Sequence, residues 1–196
     1  MAELGFKTKI GQTCYEQDGF LAGNDEMRAA EFMEMIQDKS IRAILTMRGG
    51  WGCARILERL DYKVIRENPK VIMGFSDITS LVNAIYTKSG LVTYHGPCGY
   101  SSWGDYTTNN VIKAVVAGNP FTMSNPSNNK EELKTWSSGK AQGKLVGGNL
   151  TVIVSMVGTS YEPNWNNKIL FLEEIKEEPY RVDRMLWQMK QAGVFE

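Results

Sequence analysis

The chain contains a single histidine, His95, among 196 residues. Cysteine is scarce as well: Cys14, Cys53 and Cys98 are odd in number, widely spaced, and form neither a C-x-x-C pair nor a zinc spacing. That usage argues against a disulfide scaffold and fits a reducing compartment. Net charge is missing too, since 22 basic residues balance 22 acidic ones. A phosphate-backbone binder needs a basic surface, so nucleic acid is not an expected partner. No apolar run approaches the length of a membrane span, and Met1–Lys7 has no signal-peptide hydrophobic region. The expectation is a soluble cytoplasmic protein with no membrane partner.

What is present is an alternation of short β-type runs with helical patterns, the signature of a mainly parallel α/β sheet. Strands are expected at Lys7–Gly11, Ala43–Met47, Val71–Met73, Leu91–Tyr94 and Phe121–Met123. Asn24 is placed to cap a helix over Asp25–Gln37, with Met27, Ala30, Met33 and Ile36 as its buried stripe. Further helices are expected at Ala54–Leu60, Asp77–Lys88 and Asn109–Ala117. From Ser124 to Gly143 the composition turns polar, as in an exposed connection. Beyond it, strands at Lys144–Val146 and Lys168–Leu172 flank a helix over Leu150–Val157, and an amphipathic helix follows from Pro179 to Gln191. The division expected is an N-terminal parallel-sheet domain over 1–125 with helices on both faces, a linker over 126–143, and part of a second α/β or β-rich domain over 144–196.

The strongest chemical signal is Val71-Ile72-Met73-Gly74-Phe75-Ser76-Asp77-Ile78-Thr79. A buried strand ends in Gly-x-Ser and becomes a helix at once, the context of a nucleophile elbow. The helix start supplies free backbone N–H groups suited to a developing oxyanion. Ile78 stands where the general hydrolase pattern has its second glycine, and Ser76 as a plain helix cap is the competing reading. Arg48-Gly49-Gly50-Trp51-Gly52 is a glycine-rich turn after a strand, able to bring backbone N–H groups close to a ligand or simply to turn the chain. Leu172-Glu173-Glu174 sets carboxylates at a strand end, where α/β sites assemble, although a solvated charge run gives the same pattern. His95 follows its strand directly and reads as structural rather than as the base for Ser76.

Six segments in register carry a resemblance. They are Gly19–Glu26, Arg48–Gly52, Gly74–Thr79, Thr93–Pro97, Gly147–Leu150 and the stretch from Leu172 through Pro179 to Met185. Together they resemble the murein tetrapeptide L,D-carboxypeptidases, the serine peptidases that also include the microcin C self-immunity proteins. The resemblance implies a Ser–Glu–His triad with Ser76 as nucleophile and Glu173 as its glutamate. It implies an oxyanion site from the backbone N–H of Asp77 and one from the Gly49–Gly50 turn, assigned to Gly50. Gly49, Trp51 and Asn149 are the substrate-pocket candidates.

No metal or organic cofactor is implied. The expected ligand is a small muropeptide ending in D-Ala, with homodimerisation left open. The family's first strand precedes Met1 and its catalytic histidine follows Glu196, so the resemblance implies a chain truncated at both ends and inactive alone. An immunity-type peptidase and a non-catalytic ligand-binding protein are the competing functions. The preferred third residue of the peptide, diaminopimelate or lysine, is left open.

Overall fold

A computed structural model describes residues 1, 4–118, 120–125 and 134–196. Three parallel strands, β1 (Ala43–Leu45), β2 (Val71–Gly74) and β3 (Tyr94–His95), form the first sheet in the order β1-β2-β3. Parallel neighbours need crossovers, and helices supply them. Between β1 and β2 lie α2 (Cys53–Ile56), a 3-10 turn over Leu57–Arg59, and α3 (Tyr62–Glu67). Between β2 and β3 lies α4 (Ile78–Ser89). The helix α1 (Asp25–Gln37) precedes the sheet, and Asn24 caps it by accepting from the Met27 N–H at 2.8 Å. Its buried stripe is Ala29, Phe32 and Ile36 with Met33 beside them. Met27 and Ala30, expected on that stripe, are exposed: the apolar face is rotated so that Phe32 supplies its bulk.

A second sheet pairs β4 (Lys144–Asn149) with β5 (Lys168–Glu173) in parallel. α6 (Leu150–Met156) connects them and α7 (Pro179–Gln191) follows. Asn149 caps α6, and Pro179 opens α7 where its missing N–H costs no hydrogen bond. α4 packs between the two sheets. Residues 78–85 of this helix are all buried, because its other faces meet β4 and α6. One apolar cluster therefore runs from Phe32, Ile36 and Ile72 through Leu81 and Ile85 to Leu150, Ile153, Met156 and Met189.

Two expected strands are not formed. Lys7–Gly11 runs as irregular chain into a 3-10 turn, Gln12–Tyr15, whose Thr13 N–H is accepted by the Glu31 carboxylate on α1 at 3.1 Å. Phe121–Met123 is likewise irregular, and exposed. α5 (Asp105–Val111), continued by a π-helical stretch over Ile112–Ala117, begins earlier than expected. Residues 126–133 of the expected linker lie outside the described residues, while the described remainder, 134–143, is exposed and without helix or strand. Among the described residues no helix is long and apolar enough to cross a membrane.

Candidate active site

The β2–α4 junction is a tight elbow. Ser76 holds a positive φ of 64°, a left-handed conformation unusual for a residue with a side chain. Its hydroxyl therefore stands off the turn instead of capping the helix: the cap position is Asp77, which makes no side-chain cap bond. The turn is close enough that a Cβ on Gly74 would fall 2.2 Å from Thr46 Oγ1 and 2.8 Å from Ile78 Cγ2. Positions 74 and 78 thus face each other across the elbow. With glycine at one of them, the other can carry a side chain, which explains why Ile78 does not break the motif.

The glycine-rich turn after β1 lies against the serine. A Cβ on Gly49 would sit 2.8 Å from Ser76 Cβ and 3.0 Å from its Oγ, so only glycine fits there. Gly50, at φ 129°, and Trp51 beyond it are exposed. One peptide group anchors this turn from both sides. The Gly52 carbonyl accepts from Arg28 Nη1 at 3.1 Å, and the adjoining Cys53 N–H donates to Asp77 Oδ2 at 2.8 Å. Asp77 is 4% exposed, and burial raises its carboxyl pKa, against the lowering effect of the Cys53 N–H bond and the Arg28 charge. Burial, followed by the neighbouring Asp77 charge, keeps the Cys53 thiol protonated. The Arg28 clamp and the carboxylate role of Asp77 were missed from sequence. Arg28 sits in a charged first turn and gave no separate signal.

The second sheet brings Glu173 to the same region. Asn149 and Glu173 are register partners at the ends of β4 and β5. Burial raises the pKa of Glu173, and the Glu174 charge adds to the rise. The two adjacent acids have different fates. Glu174 accepts from the Thr151 N–H at 3.0 Å, Thr151 Oγ1 at 2.6 Å and Asn149 Nδ2 at 3.2 Å, which ties β5 to the start of α6. Those bonds hold its pKa low against burial. Asn149 Oδ1 meanwhile accepts from the Val152 N–H at 3.2 Å.

A buried polar seam joins this strand pair to the helix behind the elbow. Thr79 Oγ1 accepts from the Asn149 N–H at 3.0 Å, and Asn83 Nδ2 donates to the Gly147 carbonyl at 2.9 Å. A Cβ on Gly148 would collide with Thr79 Oγ1 at 2.6 Å, so the Gly-Gly-Asn segment is fitted to α4. Thr79 and Asn83 also escaped sequence reading. Their signal was a polar pair four residues apart on a helix otherwise apolar enough to be buried all round. Neither ring nitrogen of His95 hydrogen-bonds Ser76. Its Nε2 stands 4.0 Å from Glu173 Oε1 instead.

Residues 1–96 match the LD-carboxypeptidase N-terminal domain, and residues 142–196 match the LD-carboxypeptidase C-terminal domain. A probable murein peptide carboxypeptidase of Bacillus subtilis is 41% identical over 98% of this chain and 61% of its own length. The microcin C7 self-immunity protein MccF of Escherichia coli is 30% identical over 98% of this chain and 64% of its own. The chain thus spans about three fifths of the length of the curated relatives it matches. Among solved structures, an MccF-like protein from Bacillus anthracis superposes with a TM-score of 0.84 at 35% identity, covering 99% of this chain and 66% of the other. A muramoyltetrapeptide carboxypeptidase from Oxalobacter formigenes does so with 0.73 at 30% identity, covering 90% and 60%. With both domains of one family matched in order around the same elbow, and an α/β fold shared with its solved members, the chain belongs to the LD-carboxypeptidase family.

Proposed function

We propose that the complete protein is a serine-type L,D-carboxypeptidase that releases the terminal D-Ala from muropeptide tetrapeptides in cytoplasmic peptidoglycan recycling. The observation that carries this reading is the left-handed Ser76 at φ 64°, in contact with Gly49 at the start of a buried helix. Ser76 Oγ attacks the carbonyl of the third residue, and its proton passes to an imidazole. The oxyanion is received by the backbone N–H groups of Asp77 and Gly50. As the tetrahedral intermediate collapses, the C–N bond breaks and the proton goes to the departing D-Ala nitrogen; water then releases the acyl group from Ser76. Glu173 orients the imidazole and stabilises its charge. That imidazole comes from a residue outside these 196, since His95 faces Glu173 and not the serine. On this reading the 196-residue chain alone is inactive. Gly49 and Trp51 line the approach to Ser76. Asn149, the third substrate-pocket candidate, is held by bonds to Val152 and Glu174.

The likeness to MccF supports a second reading, an immunity-type peptidase acting on a peptidyl-nucleotide antibiotic. D-Ala release from a tetrapeptide should fall roughly ten-thousand-fold or more in S76A. Undiminished release in that variant contradicts the mechanism. Hydrolysis of an aminoacyl-sulfamoyl adenosine without D-Ala release selects the second reading, and binding without hydrolysis of either marks a non-catalytic protein.

A further inference from the structure

His95 ends β3 in register with Gly74, two residues before the serine. Its ring meets Phe75 edge-on at 6.4 Å and Phe171 at 5.3 Å between centroids. Phe75 adjoins Ser76, and Phe171 shares a face of β5 with Glu173 two residues on. The imidazole is therefore wedged between the elbow and the acidic strand. Nε2 lies 4.0 Å from Glu173 Oε1, and that oxygen is buried with no hydrogen-bond partner among the described residues, as is His95 Nδ1. Gly148 lies beside the ring, where a Cβ would come within 3.1 Å of Nδ1, so a larger residue at this position would crowd the imidazole. An orphaned buried carboxylate oxygen is costly, and His95 Nε2–H is the donor placed to relieve it, after a shift of about 1 Å.

We propose that His95 is a positioning residue that donates from Nε2 to Glu173 Oε1, fixing the carboxylate so that Oε2 is presented to the reacting imidazole. The inference rests on the role given to Glu173 above. A donor at Nε2 requires only a neutral ring, and burial favours that state by lowering the His95 pKa. Among the described residues Glu173 is the charged group facing the ring. β4 presents Gly148 and the elbow presents Phe75, while the Asp77 carboxylate is turned to Cys53 and that of Glu174 to Thr151.

Because His95 is the only histidine, its imidazole NMR signals in this chain are unambiguous. E173Q removes a negative charge that favours the imidazolium, so the His95 titration midpoint should fall by about one pH unit. An unchanged midpoint overturns the pairing. In the complete protein, H95F should lower kcat about tenfold or more with KM held within about twofold, and H95Q, which restores an N–H donor, should recover most of the loss. Wild-type kcat in H95F overturns the positioning role while leaving Ser76 as nucleophile. Absence of D-Ala release by the wild type overturns the functional reading instead, and the titration then decides the His95–Glu173 pairing by itself.

Discussion

Ser76 is a residue in a conformation that serine avoids, and its neighbours account for how it is kept there. Gly74 and Gly49 remove the atoms that would collide, and Asp77 and Arg28 hold the opposing loop by a single peptide group. The cost of this arrangement is a buried carboxylate. The Asp77 pKa is raised from the usual 3.8, so the folded state keeps its proton at pH values where the unfolded chain has lost it. Its contribution to stability is therefore full below about pH 4 and is lost as pH rises through the folded value. Asn at this position keeps an acceptor for the Cys53 N–H but does not titrate. The stability of wild type relative to D77N should accordingly decline as pH rises above about 4 in thermal or urea unfolding. A difference independent of pH contradicts this account of Asp77.

At the scale of elements, α4 connects the two halves of the site. Its N-terminus carries the elbow, and its buried polar pair, Thr79 and Asn83, fixes the strand whose end aligns with Glu173. T79V keeps shape but leaves the Asn149 N–H buried without an acceptor, which should cost about 1–3 kcal/mol. Chemical denaturation should show the loss, and kcat should fall with it, because Asn149 and Glu173 share a register. An unaltered midpoint means that the seam does not bear on the fold. The sequence made most elements legible. The cap at Asn24 and the strand-to-helix switch at Gly74–Asp77 are local signals that survive folding. Lys7–Gly11 and Phe121–Met123 misled because β-type composition needs a partner strand, and composition does not say whether one is there. The stripe of α1 was misplaced for a related reason: Phe32 outweighs Met27 once the neighbours of the helix are known, and a helical period alone does not identify them.

Ser76 and Glu173 stood out as strand-end residues, yet they are 97 positions apart. The segments that carry them are linked by contacts that only three dimensions show: Gly49 on Ser76, Gly148 on Thr79, and His95 between the two phenylalanines. The outer face of the second sheet carries Leu145, Ile169 and Phe171, all exposed on the side that also presents Glu173. The catalytic reading of this chain rests in the end on Ser76 being a nucleophile. Exposure of the complete protein to a fluorophosphonate probe at neutral pH, followed by peptide mapping, tests that directly. One adduct is expected, on the peptide containing Ser76, and none in S76A; an adduct on another residue, or equal labelling of S76A, contradicts a nucleophilic Ser76.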